Sequence, residues 1–158
     1  MAFSELFRLM KPGARAVIVD WAFTEKFDGS NSKHDEIRVR IERGNATPQL
    51  MTTEEYVKTV QNAGFEVIEA KDQNATDGHP STPWYMALQG RDFSISSLAR
   101  TPAGRVFTAQ VTRLLEALKL APRGISEAAR LLNDAADSLV EAGKLEIFTP
   151  SFLVHARK

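Results

Sequence analysis

The sequence predicts an α/β fold, the trailing half of a doubly wound sheet with a helical pair inserted before its last strand. Three observations carry this. Ala16, Val17, Ile18 and Val19 form a β-branched run without polar alternation, the pattern of a strand covered on both faces in a parallel sheet. Thr52 followed by Glu55 is a capping box that opens a helix, and Gly64 closes it ahead of a second strand. Between residues 106 and 140 the apolar residues return at helical spacing in two separate stripes before a final strand.

Taken in order, Phe3, Leu6, Phe7 and Met10 mark an opening helix that Lys11-Pro12-Gly13 stops. The first strand follows, with no earlier strand for it to pair with, so the sequence starts in the middle of a fold. Residues 24–34 are polar and turn-rich. Ile37, Val39 and Ile41 alternate with arginines, which favours a strand, although Ile37 and Ile41 alone suit a helix turn. Tyr56, Val57 and Val60 line one face of the capped helix. Phe65, Val67, Ile68 and Ala70 alternate imperfectly and read as a strand ending in the polar run 71–81. Thr101-Pro102 starts a helix carrying Val106, Phe107, Val111, Leu114, Leu115 and Leu118, which ends before Pro122. Ala128, Ala129, Leu132, Ala136, Leu139 and Val140 give its partner a stripe that Gly143 terminates. Leu145, Ile147 and Phe148, then residues 152–154, form a last strand broken around Pro150.

Composition narrows the function classes. The 158 residues are 43% hydrophobic, enough for one core. Twenty basic and twenty acidic residues cancel, so no net field favours nucleic acid. There is no cysteine for a disulfide, a thiolate site or a nucleophile, and the three histidines are scattered. The N-terminus does not read as a signal peptide, and the longest apolar run, residues 14–23, is interrupted by Arg15 and Asp20. That is far short of the roughly 20 residues that cross a bilayer. Any membrane contact is therefore expected to be peripheral.

Asp20 and Trp21 fall at the end of the first strand, and ligands in doubly wound sheets bind beyond the carboxyl ends of the strands. The plainer alternative is an Asp that caps the next segment and a Trp that packs in the core. Pro83-Trp84-Tyr85 follows a long polar loop and suits an aromatic binding surface or a core plug equally. Asp77 and His79 in that loop are candidates for proton transfer, against the common case of a solvated loop histidine. The helical stripes read as core or as a subunit interface through which the chain forms a homo-oligomer. No two glycines stand in a G-x-G arrangement, so no nucleotide cradle is visible.

These segments resemble those of the S-adenosylmethionine-dependent sterol 24-C-methyltransferases, and the resemblance spans nearly the whole chain. LFRLMKPGARAVIVDWAFTEKFD is similar to the family's helix, proline-glycine turn and strand with its Tyr-Glu-Trp segment. TTEEYVKTVQNAGFEVIEAKD is similar to the next helix and strand, and TPWYMALQG to its Pro-Trp-Tyr segment. The stretch from Phe93 to Lys158 resembles its C-terminal domain, most of all in plants and algae, and the IFTP segment near its end is specific. Four positions depart: Val19 and Asp20 stand for the family's tyrosine and glutamate, Met10 for a leucine, and Ala14 for a second glycine. The resemblance implies a class I, Rossmann-like methyltransferase fold, with residues 1–80 closing the methyltransferase core and residues 81–158 forming the C-terminal domain. It implies methyl transfer from S-adenosylmethionine to a Δ24 sterol, with the glycine-rich cofactor motif outside this chain. Asp20 and Trp21 are then the expected catalytic residues, and Phe23, Trp84, Tyr85, Asp77 and His79 the expected substrate-side residues. The alternative is a non-catalytic homologue that binds sterol or pairs with a full-length methyltransferase.

Overall fold

A computed structural model describes residues 2–47, 49–74, 83–89 and 101–158. The chain divides into two compact units. The first comprises Met1–Gly29, Leu50–Ser81 and Glu146–Lys158, the second Ser30–Gln49 and Thr82–Leu145.

The first unit is a three-stranded sheet with two helices. Strand β1 (Arg15–Phe23) and strand β2 (Glu66–Asp72) both pair antiparallel with β3 (Phe148–Arg157), giving the order β1-β3-β2. β1 and β2 therefore run parallel to each other, with the last strand between them. The imperfect alternation around Ile68 is a bulge: Val67 pairs with Ala156 and Glu69 with His155, so Ile68 is the extra residue. Pro150, which lacks an N–H for the ladder, lies where the β1–β3 register shifts, between the pairs Asp20–Phe152 and Ala22–Thr149.

Helix α1 (Ala2–Leu9) lays Phe3 edge-on to Tyr56 at 5.5 Å and Phe7 edge-on to Phe65 at 5.0 Å. Its end is held from the far end of the chain, where the Lys158 ammonium donates to the carbonyls of Phe7 (2.6 Å) and Met10 (2.8 Å) and stands 4.6 Å over the Phe7 ring. The capping box is formed: Thr52 accepts from the Glu55 N–H, and Glu55 accepts from the Thr52 N–H, at the start of α3 (Thr53–Asn62). Tyr56, Val60 and Phe65 then join Phe152, Val154 and Ala156 of β3 in the core.

In the first half of the chain one expectation is corrected and one open reading is decided. β1 is not covered on both faces: Val17 is 64% and Val19 53% exposed, because β3 is its one ladder partner among the described residues and the core lies on one side. The segment around Ile37 and Ile41 is a helix, α2 (Ser32–Asn45). Its arginines alternate for a helical reason, since Arg38 bonds Asp35 one turn back and Glu42 one turn on. Asn31 caps it by accepting from the Lys33 N–H.

The second unit is helical: α2, a 3-10 helix (Trp84–Gln89), α4 (Pro102–Ala117) and α5 (Ile125–Lys144). The helical pair is present as expected, but its packing differs. The buried side of α5 is Ala135, Ser138, Ala142 and Gly143, small residues that let α2 and the 3-10 helix approach closely, whereas Leu132 is 62% exposed. α4 meets α5 through polar groups. Arg105 pairs with Asp137, and the Glu116 carboxylate accepts from the Gly124 N–H and the Ser126 hydroxyl.

Gly64 combines a positive φ of 105° with a close neighbour, since a Cβ there would lie 2.9 Å from the Phe7 ring. Gly13 has a φ of 78° but open space around it. Gly13→Ala should lose about 1–2 kcal/mol in denaturant unfolding from backbone strain alone, and Gly64→Ala measurably more, so equal losses would mean that Phe7 does not pack there. At Gly143 a Cβ would come within 2.3 Å of the Tyr85 ring. Gly143→Ala should therefore displace the Trp84–Tyr85 pair and change the near-ultraviolet circular dichroism while helix content holds; an unchanged aromatic spectrum would contradict that packing.

Candidate functional site

The carboxyl ends of β1 and β2 meet across one residue of β3, for Asp20 and Asp72 are both the register partners of Phe152. Two acidic side chains thus occupy one row at the end of the sheet where the crevice rule places ligands.

Asp20 is fixed from two sides. Its Oδ1 accepts the N–H of Trp21 at 2.8 Å, and its Oδ2 accepts the Tyr56 hydroxyl at 3.2 Å. Tyr56 reaches it because the Phe23 N–H bonds the Met51 carbonyl, which pins the start of α3 to the end of β1 one turn before Tyr56. Burial pushes the Tyr56 hydroxyl well above the ordinary tyrosine range, and the adjacent Asp20 carboxylate adds to the effect by disfavouring a second negative charge. Tyr56 is therefore a donor at neutral pH. The contact to the Trp21 N–H is also what a local turn makes, so the tyrosine bond is the part that a mere cap does not explain.

Trp21 is half-buried and stands edge-on to Phe148, 5.5 Å between centroids. Phe23 was expected on the substrate side. It is fully buried, between Phe27 at 4.3 Å and Phe148 at 5.5 Å, and presents no surface of its own. Across the sheet, the buried Thr149 hydroxyl donates to Asp72 Oδ1, which also accepts the Asn74 N–H, while the Asn74 amide donates to Thr149. This satisfies a polar cluster that would otherwise be costly to enclose.

Trp84 and Tyr85 belong to the helical unit, edge-on to each other at 5.7 Å, half-buried, and seated over Gly143. Asp77 and His79 lie outside the described residues. The structure thus brings Asp20 and Trp21 together with Tyr56 and Phe148, two residues that the sequence reading left out of the site. Phe148 lay within the IFTP segment already marked as distinctive. Tyr56 looked like an ordinary core position on its helix, and nothing local to it signals a partner 36 residues away.

Residues 95–158 match the family described as sterol methyltransferase C-terminal. The chain is 38% identical over 156 residues to the cycloartenol-C-24-methyltransferase of Arabidopsis thaliana, an alignment covering 99% of this chain and 46% of that protein. It is 34% identical over 163 residues to the sterol 24-C-methyltransferase of Saccharomyces cerevisiae, covering 99% and 42%. The chain spans less than half the length of these relatives. A crystal structure from Galdieria sulphuraria described as a sarcosine dimethylglycine methyltransferase matches 99% of this chain and 46% of its own, with a TM-score of 0.50 at 12% identity, which shows the methyltransferase fold alone. Residues 95–158 thus match the sterol methyltransferase C-terminal family model, and 99% of the chain is similar to part of the sterol and cycloartenol 24-C-methyltransferases.

Proposed function

We propose that the chain supplies the sterol-facing part of a methyltransferase that adds the methyl group of S-adenosylmethionine to C-24 of a Δ24 sterol side chain, with Asp20 and Trp21 at the chemistry. The observation that carries the reading is the carboxylate at the end of β1, held by the Tyr56 hydroxyl and the Trp21 N–H beside the Trp21–Phe148 aromatic pair. In this reading residues 1–80 close the methyltransferase core and residues 81–158 form the C-terminal domain.

The reaction asks little of the protein beyond placement. When the π electrons of the alkene form the new carbon–carbon bond, the neighbouring carbon becomes a cation, and the reaction ends when a proton leaves. A carboxylate already oriented by two donors stabilises that charge without reorganising, and the faces of Trp21 and Phe148 attract it. By the resemblance, Trp84, Tyr85, Asp77 and His79 are each proposed as sterol-side residues, and Phe23 supports Phe148 by packing against it. Among the described residues no glycine of positive φ stands in a strand-to-helix turn of the kind that holds a nucleotide. Gly13, Gly64 and Gly124, the described glycines of positive φ, all precede a strand or a helix, and none follows a strand, so no step is assigned through the cofactor here.

The decisive test joins this chain to the cofactor-binding half of a curated relative. Asp20→Asn should then lower turnover about 10²-fold, equivalent to roughly 2.7 kcal/mol, with little change in melting temperature. Asp20→Glu, which restores the family's own acid, should retain or improve the rate. Parental turnover in Asp20→Asn would remove the carboxylate from the mechanism.

The raised Tyr56 value makes a separate prediction. Tyr56 and Tyr85 are the chain's two tyrosines, so in a Tyr85→Phe background the phenolate absorbance reports Tyr56 alone. No step should appear near the ordinary value of about 10. Because the folded value lies above the unfolded one, this group's contribution to stability is whole below about pH 10 and declines as pH climbs beyond it. Asp20→Asn should move the step down only partly, since burial is the larger cause. A normal titration in the intact fold would contradict the burial of the Tyr56 hydroxyl, and a step that Asp20→Asn leaves unmoved would contradict the Asp20–Tyr56 contact.

A further inference from the structure

Helix α4 is packed with its polar side inward. Arg105, Thr112 and Glu116 are half-buried, and the first and last of these bond to α5 or to the turn before it. Phe107, Val111, Leu114, Leu115 and Leu118 share one arc of the helix, at i, i+4, i+7, i+8 and i+11, and that arc faces outward. Phe107 is 71% exposed, Leu114 58% and Leu118 59%, and Leu120 in the following turn is 72% exposed. A soluble helix buries such an arc; this one presents it.

The charges around the arc are one-sided. Between residues 102 and 124 the ionisable side chains are Arg105, Arg113, Lys119 and Arg123 against Glu116 alone. Arg105 is paired with Asp137, and the Glu116 carboxylate is held by the Gly124 N–H and the Ser126 hydroxyl. Arg113, Lys119 and Arg123 are exposed, Lys119 and Arg123 beside Leu118 and Leu120 at the end of the arc and Arg113 on the flank of the helix. Long basic side chains that border an apolar arc reach up to phosphate groups while the arc enters the acyl boundary. A second copy meeting the first through this same face would set the three cations against their own images, at a cost in repulsion.

We infer that the outer face of α4, from Phe107 to Leu120 with Arg113, Lys119 and Arg123, is a docking surface for an anionic lipid bilayer. The helix lies in the plane of the interface and does not enter the bilayer; among the described residues no helix is long and apolar enough to cross one. The inference stands on exposure and charge in the helical unit and does not depend on the methyl-transfer reading, whose test is turnover.

The measurement is co-sedimentation of the chain with vesicles of phosphatidylcholine alone and of phosphatidylcholine with phosphatidylserine. Binding to the second, weakened by salt, is expected. Replacing Arg113, Lys119 and Arg123 together by Gln should lower the partition coefficient on the order of a hundredfold at low salt. Phe107→Ser with Leu114→Ser should abolish binding to both, and since these side chains are already exposed, the melting temperature should hold. No partition of the parent chain, or partition indifferent to Phe107 and Leu114, would overturn the proposal. So would a dimer in sedimentation velocity that the Phe107/Leu114 variant disperses, which would assign the face to a second copy.

Discussion

β3 makes backbone hydrogen bonds along both of its edges, to β1 on one side and β2 on the other, and every other part of the first unit is arranged around that. Its alternate residues Phe152, Val154 and Ala156 point into the core beside Tyr56, Val60 and Phe65. Each fully buried large apolar side chain contributes on the order of 1.5–3 kcal/mol relative to exposure. The strand is thus both the ladder partner of its neighbours and the floor on which α1 and α3 rest. Without it, β1 and β2 have no common partner and the two acidic residues opposite Phe152 have no shared row.

Placement of Asp20 follows from the same strand through a short chain of causes. Pairing with β3 fixes where β1 ends, and the Phe23–Met51 backbone bond fixes where α3 begins. The capping box then sets the phase of that helix, and the phase directs the Tyr56 hydroxyl onto the carboxylate. Thr149, buried at the bulged start of β3, plays the matching part for Asp72. Polar groups at the end of the sheet are satisfied by partners that only the folded ladder brings near.

Local chemistry was legible in the sequence and distant chemistry was not. The box at Thr52 and Glu55 and the glycine stop at Gly64 each depend on a few adjacent residues, and each was found where expected, whereas the break expected at Pro150 is a register shift within one continuous strand. The segment at Ile37 stayed open between strand and helix because arginine alternation imitates a strand, although Asn31 four residues before Asp35 carried a helix signal. β1 looked enclosed because its β-branched run speaks for two apolar faces, and the sequence cannot say which elements lie against them. On α4 the spacing identified the apolar arc correctly. Which way the arc turned depended on Arg105 and Glu116 finding partners on and before α5, and spacing does not reveal that. Asp20 and Trp21 were located at the strand end by the sheet rule alone, but the Tyr56 contact is tertiary.

The position of β3 at the far end of the chain has a bearing on biosynthesis. Translation delivers β1 and β2 before the strand that lies between them, so until β3 follows, the edges they share with it have no partner in this sheet. The sheet closes only once β3 has formed, and Lys158 then reaches back to the carbonyls at the end of the first helix. Replacing Lys158 would therefore take the clasp from the first helix while both ladders of β3 stay in place.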